Sequence, residues 1–144
     1  MSTWVLVANA VEARLYSTDR VGGELACVRE FSHPEGRARG SELVTDRPTQ
    51  GKGAGHGPLG EASEAKAHEV EHFAAELARA LEEGRTTNAY RHLVLVAAPH
   101  FHGLINKHLS DHARALVTYN IEKDYTGYSE RDLAALLKAA ARAA

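Results

Sequence analysis

The sequence has few of the residue types that mark secreted or membrane-embedded proteins. Its single cysteine, Cys27, cannot form an internal disulfide, which excludes a disulfide-stapled secreted domain. Cys27 lies in a stretch of alternating apolar residues, and we expect it to be a small core residue. No run of about 18 apolar residues occurs, and the first apolar run stops by Asn9 without a basic leader. We therefore expect a cytoplasmic protein that makes no membrane contact.

The chain also lacks an excess of charge of one sign. Its formal net charge is -2 at pH 7, so no overall basic field attracts DNA, and any anion site must be local. The length of 144 residues and the hydrophobic content of 44% are sufficient for a core that needs neither disulfide nor structural metal. We expect a single domain over residues 1–144.

Hydrophobic periodicity predicts an α/β fold with the element order β-β-β-α-β-α-β-α. Short links join the first three strands, which indicates antiparallel pairing, and the later alternation indicates a mixed sheet with helices on its faces. This succession matches the ribonuclease-H-like architecture, which is an analogy of topology and assigns no function. The predicted strands are 3–8, 12–17, 25–31, 92–98 and 116–122. The predicted helices are 61–83, with Gly84 as C-cap, one that opens at Pro99, and one capped by Ser129.

Glycine and proline are concentrated between the third strand and the first helix. Residues 32–60 hold seven of the 12 glycines and three of the 4 prolines, without hydrophobic periodicity. We expect a flexible loop that is either functional or a disordered insertion. Basic side chains on a glycine-rich backbone suit a phosphate-rich partner, although residues 50–57 fail both the P-loop and the dinucleotide patterns. The predicted partner-binding residues are His33, Arg37, Arg39, Arg47, Lys52, Gly53, Gly55 and His56.

Two groups of histidines have spacings that metal ligands use. His68 and His72 fit the H-E-x-x-H pattern of zinc proteases, but the apolar stripe of the helix lies on the opposite side, so both imidazoles should face water. The second group lacks a carboxylate or cysteine at a recognisable spacing. Its members are His100, His102, His108 and His112, the last two again four residues apart. We expect surface histidines or a partly exposed contact patch, with no metal or other cofactor. The weak candidates for metal ligands are His68, His72, His100 and His102, and a metal-dependent hydrolase that uses the histidines is the alternative.

The residue types of the first strand argue against nuclease activity. A nuclease of the ribonuclease H type needs several carboxylates, beginning on its first strand, to hold two metal ions. Thr3–Ala8 contains no carboxylate and is followed by Asn9. We therefore do not expect nuclease activity, whatever the fold.

Short segments along essentially the whole chain match the pattern of one family. They are Trp4-Val5-Leu6-Val7-Ala8 with Ala13-Arg14, Phe31-x-His33-Pro34-x-Gly36-Arg37, Asp46-Arg47-Pro48, Phe73-Ala74-x-Glu76-Leu77, Leu93-Val94-Leu95-Val96-Ala97-Ala98-Pro99-x-Phe101-x-Gly103 and Lys123-Asp124-Tyr125-Thr126. In this ordered set the chain resembles the bacterial family called "protein required for attachment to host cells". No single motif in the set is chemically diagnostic. The sequence departs from the family at Asn9, where aspartate is common, at His102, where leucine is common, and at Asn106 and Lys107, which replace a usual arginine.

That family is similar in turn to the middle domain of archaeal and eukaryotic peptide-chain release factors. The release-factor domain carries Gly-Gly-Gln, which promotes peptidyl-tRNA hydrolysis, on a long loop before its first long helix. The matching residues 50–57 contain no Gly-Gly-Gln. The resemblance therefore implies a non-enzymatic module that binds the ribosome or tRNA through its Gly-rich loop, and an adhesion-related protein-binding module is a further alternative.

Overall fold

The computed structural model describes residues 2–33 and 57–143, with side chains from residue 64 onward in the second range. Residues 34–56, which include most of the predicted partner-binding positions, lie outside the described residues. The strands are β1 (Thr3–Ala8), β2 (Glu12–Thr18), β3 (Ala26–Ser32), β4 (His92–Ala97) and β5 (Val117–Ile121). The helices in the described residues are α1 (Gly57–Thr86), α2 (Pro99–His108), α3 (Asp111–Ala115) and α4 (Glu130–Ala143).

The predicted order of strands and helices is confirmed, with α3 as an additional short helix between α2 and β5. The predicted loop was too long at both ends, because Ser32 belongs to β3 and α1 already begins at Gly57. None of the helices in the described ranges is both long enough and apolar enough to cross a membrane.

The five strands form one mixed sheet in the order β3-β2-β1-β4-β5. β1 pairs antiparallel with β2, and β2 with β3, while β1–β4 and β4–β5 are parallel. The central pair runs in register from Thr3↔His92 to Ala8↔Ala97. Nearly every residue of β1 and β4 is buried, as expected for strands whose two faces are both covered.

Alternate residues of the central strands feed two separate apolar clusters, one on each face of the sheet. Leu6 and Leu95 belong to the cluster that includes Phe73, Leu77 and Leu81 of α1. The opposite cluster combines central-strand valines with α4 and consists of Val5, Val7, Tyr16, Leu25, Val94, Val96, Leu133 and Leu137. Burying a side chain of this size contributes about 1.5–3 kcal/mol, so the helical layers stabilise the sheet on both faces.

Cys27 is exposed, so the prediction that it is a core residue was wrong. β3 is an edge strand in which Phe31 is the only buried residue. The register of β2 and β3 also shifts beside Cys27, between Leu15 and Tyr16. Alternation along a strand shows which residues share a face, but it does not show whether a helix covers that face.

Gly84 is not the C-cap of α1, contrary to the sequence-based prediction. It is buried within the helix, which continues to Thr86. The left-handed backbone conformation near the helix end belongs instead to Asn88, with φ 59. Gly84 lies against Trp4, whose ring stacks on that of Tyr90 with centroids 4.8 Å apart. A glycine fits at position 84 because Trp4 approaches the helix closely there, and not because the chain turns.

Replacing Gly84 by alanine should destabilise the protein. A Cβ there would lie 2.5 Å from Cη2 of Trp4 and 3.1 Å from Cε1 of Tyr90. We expect Gly84→Ala to lower the free energy of unfolding by about 1–3 kcal/mol, which urea titration followed by Trp4 fluorescence measures. Gly103→Ala is the control, because its Cβ would meet no atom of the described residues within 4 Å, and the change should stabilise α2 by about 0.5–1 kcal/mol. Equal gains in the two variants would contradict the close approach of Trp4.

Tyr90 should make stability depend on alkaline pH. Its hydroxyl donates a hydrogen bond to the carbonyl of Leu81 at 2.7 Å, and burial, followed by the charge of Glu82, raises its pKa from 10.0 to about 12. The unfolded chain therefore loses this proton first, so the stabilisation is complete below pH 10 and is lost as the pH rises towards 12. The free energy of unfolding should fall over that interval, and fall less in Tyr90→Phe. Identical pH profiles for the two proteins would rule out this contribution.

Candidate functional site

The carboxyl ends of β1, β4 and β5 meet at one edge of the sheet, because these three strands are parallel. Ligands of open α/β sheets bind at such an edge. Asn9 follows β1 there, and the segment 122–128 follows β5. β2 begins at the same edge and β3 ends there, because β2 runs antiparallel to both β1 and β3.

Asn9 joins the first turn of the chain to the segment that follows β5. Its Oδ1 accepts hydrogen bonds from the backbone N–H groups of Val11 at 2.8 Å and Glu12 at 2.9 Å. Its Nδ2 donates to Oγ1 of Thr126 at 2.9 Å, and that hydroxyl donates in turn to Oδ1 of Asp124 at 2.5 Å. Thr126 is only 7% exposed. The side chain of Asn9 thus organises the protein's own turn and anchors a distant segment.

A polar cleft lies beside this network, against β2 and β3. The strand pairs Glu12↔Ser32 and Arg14↔Glu30 place four polar side chains on one face of the sheet. On the same face, Tyr16 of β2 packs in the apolar cluster that includes α4. Arg14 Nη2 donates to the backbone carbonyl of Thr126, on the other wall. The cleft has a volume of about 550 Å³. It is lined by Glu12, Ala13, Arg14, Glu30, Phe31, Ser32, Thr126 and Gly127.

The charged groups of the cleft differ in sign and in exposure. Arg14 is half-buried, whereas Glu30, directly across from it on β3, is exposed. Glu12 adds a second carboxylate, and Ser32 adds a hydroxyl that both donates and accepts. The cleft therefore offers hydrogen-bond donors and acceptors to a polar ligand. The cleft was not predicted, although the alternation of Glu12 and Arg14 with the apolar residues of β2 indicates a polar face.

The two histidines of the H-E-x-x-H pattern, His68 and His72, both lie towards the solvent on α1, as predicted. Glu71, inside the pattern, connects α1 to α2. Its Oε2 lies 2.8 Å from Nζ of Lys107 and 3.0 Å from Nε2 of His108. Hydrogen bonds from Lys107 and then from His108 lower the pKa of Glu71 below its usual value. This carboxylate serves the packing of two helices.

The second group of histidines is not gathered into one cluster. The spacing of His108 and His112 suggested a shared helical face, but Leu109 between them is extended, with ψ 144. Ser110 then caps α3 by accepting a hydrogen bond from Ala113 N at 3.1 Å. His100 and His112 are exposed. In the part of the chain that the structure describes, no group of three or more histidine, cysteine, aspartate or glutamate side chains could hold a metal ion.

His102 is buried, with 7% of its surface exposed, so the expectation of a surface histidine was wrong here. Its Nε2 makes no hydrogen bond with the described residues. Phe101, Ile105 and Leu109 are buried along one side of this region, and His102 is buried beside them in the first turns of α2. Helical periodicity did not reveal its burial, because burial beside a stripe depends on what packs around the helix.

His33 is the one predicted partner-binding residue within the described residues. Its backbone N–H donates to the carbonyl of Val11 at 2.7 Å, and its ring stacks on Phe73 with centroids 5.4 Å apart. Phe73 stacks in turn on Phe101, with centroids 5.9 Å apart. His33 therefore attaches the start of the segment 34–56 to the sheet and α1. The other predicted partner-binding positions, Arg37, Arg39, Arg47, Lys52, Gly53, Gly55 and His56, lie outside the described residues.

Comparison with known proteins identifies the family. The model of the family described as "Protein required for attachment to host cells" matches residues 4–137. The chain belongs to this family. The match to the host-attachment family extends from β1 to Leu137 in α4, so it includes Asn9, the cleft residues and Thr126. A search of curated proteins finds no match to this host-attachment protein.

The hydrogen bond between Asn9 and Thr126 can be measured with a double-mutant cycle. Asn9→Ala removes the acceptor for two backbone N–H groups and the donor to Thr126, while Thr126→Val removes only the hydroxyl. We expect each single variant to be less stable by about 1–3 kcal/mol and the pair to show a coupling of about 1 kcal/mol in urea denaturation. Strict additivity would mean that the side-chain bond contributes nothing to stability.

Proposed function

We propose that this host-attachment family protein is a non-enzymatic binding module that contacts the ribosome or a tRNA through the segment between β3 and α1. The main support for a non-enzymatic role comes from the hydrogen bonds of the Asn9 side chain. A nuclease of similar topology would hold metal-binding carboxylates on the first strand, whereas the residue after β1 here uses its amide to bind its own chain. The family name adds a role in attachment to host cells. In this proposal that role is indirect.

The topology supports the finer assignment to a ribonuclease-H-like, release-factor-like fold. Three antiparallel strands are followed by two parallel ones in the order β3-β2-β1-β4-β5. The segment that precedes the first long helix corresponds in position to the loop that carries Gly-Gly-Gln in release factors. Because the tripeptide is absent from this sequence, we assign the segment to binding rather than to hydrolysis of an ester bond.

The distribution of charge along the chain favours one segment over α1 for contact with a phosphate-rich partner. Residues 61–83 of α1 carry seven acidic and two basic side chains, so the exposed face of this helix repels phosphate. Arg37, Arg39, Arg47 and Lys52 follow His33, which is held to the body of the protein by Val11 and Phe73. The proposed contact with phosphate is therefore assigned to these four cations and not to α1.

Salt-dependent co-sedimentation with ribosomes tests the proposed function. Because phosphate contacts release counterions, wild-type protein should sediment with ribosomes at low salt and dissociate steeply as salt rises. A variant with Arg37, Arg39, Arg47 and Lys52 changed to alanine should bind weakly, with a salt slope reduced by about one unit for each phosphate that the protein no longer neutralises. The matched control changes four bases elsewhere, Arg20, Arg91, Arg131 and Lys138, which are all exposed, to alanine.

The control variant should bind as the wild type does. If neither the wild type nor the variants sediment with ribosomes, or if all sediment equally at every salt concentration, the proposed contact with the translation machinery is wrong. Equally weakened binding in the two quadruple variants would indicate a nonspecific effect of net charge rather than contact through the segment 34–56.

A further inference from the structure

We propose that the polar cleft between β2–β3 and Thr126–Gly127 binds a small zwitterion that carries one carboxylate and one ammonium group, of the size of a free amino acid. The proposal rests on different residues from the ribosome contact, because the described residues that line the cleft lie on β2, on β3 and in the loop after β5. It assigns a ligand-binding site in addition to the proposed macromolecular contact.

Arg14 supplies the recognition of the carboxylate. A guanidinium group has five N–H donors, and Nη2 of Arg14 donates to the backbone carbonyl of Thr126. This bond holds the half-buried side chain between the two walls of the cleft. An oriented guanidinium is suited to a planar carboxylate, which can accept two parallel hydrogen bonds from it.

The carboxylate of Glu30 makes a simple anion a poor ligand. Glu30 lies directly opposite Arg14 on the neighbouring strand. A simple anion bound at Arg14 would be repelled by Glu30, and a simple cation beside Glu30 would be repelled by Arg14. A ligand with both charges places its carboxylate on Arg14 and its ammonium group beside Glu30.

The dimensions of the cleft limit the ligand. Its volume of about 550 Å³ falls within the range of small-molecule sites and leaves space beside the two charged groups for a ligand side chain. Gly127 forms part of the wall, and a Cβ built there would meet no atom of the described residues within 4 Å. A larger side chain can therefore be introduced at this wall of the cleft without a clash with those residues.

Amide chemical shifts measured by two-dimensional NMR test the ligand class. L-alanine is titrated into the full-length protein, and acetate and methylammonium are titrated separately as probes of each charge alone. We expect L-alanine to cause saturable shifts at Arg14, Ser32, Thr126 and Gly127, and the single-charge probes to bind at least about tenfold more weakly. Equally tight binding of acetate would overturn the zwitterion in favour of an anion site. Absence of saturable shifts with L-alanine up to about 10 mM would overturn the site itself.

Two pairs of variants locate the binding. Glu30→Gln should weaken the affinity for L-alanine about tenfold, since it removes a charge-assisted hydrogen bond, whereas Glu24→Gln, at an exposed acid before β3, should not. Gly127→Leu adds a bulky side chain at the wall of the cleft and should weaken binding, whereas Gly103→Leu, where a Cβ also meets no atom of the described residues, should leave it unchanged. Wild-type affinity in folded Gly127→Leu would exclude the cleft. The same variant should still sediment with ribosomes, which separates this proposal from the proposed function.

Discussion

The parallel pairing of β1 with β4 is the constraint on which the rest of the structure depends. These strands pair in unbroken register from Thr3↔His92 to Ala8↔Ala97, and almost every side chain on either face is buried. Two apolar faces require a layer on each side, which α1 and α2 provide on one face and α4 on the other. Because β4 is parallel to both β1 and β5, the carboxyl ends of these three strands lie at the same edge of the sheet. Asn9, which follows β1, is therefore close to residues that follow β5.

Polar side chains at this edge serve two different purposes. The bonds among Asn9, Thr126 and Asp124 fasten the last loop to the first turn and leave the hydroxyl of Thr126 both donating and accepting. Arg14 reaches the same loop through the carbonyl of Thr126 and at the same time lines the cleft. The network therefore forms one wall of the cleft. Substitutions that loosen Thr126 should alter the cleft as well as stability.

The differences between prediction and structure share one physical origin. Elements that the local sequence defines were predicted correctly. The apolar run Thr3–Ala8 forms β1, and Ser129 caps α4, where its Oγ accepts a hydrogen bond from the backbone N–H of Asp132 at 3.2 Å. Cys27 and His102 were misplaced because burial depends on the position of a strand or helix in the whole fold. Gly84 was misassigned because the contact with Trp4 joins residues far apart in the chain. The polar cleft was missed because strand register is not a local property.

The sequence by itself determined the element order, the central apolar strands, the absence of a carboxylate on β1 and membership in the host-attachment family, because each is written in local periodicity or in an ordered set of motifs. Only the tertiary structure decided which side chains meet. The pair Arg14↔Glu30 arises from strand register, and the hydrogen bond between Asn9 and Thr126 arises because the segment after β5 lies beside the end of β1. Since a one-residue slip would turn every side chain of a strand to the other face, the cleft exists only in the folded arrangement.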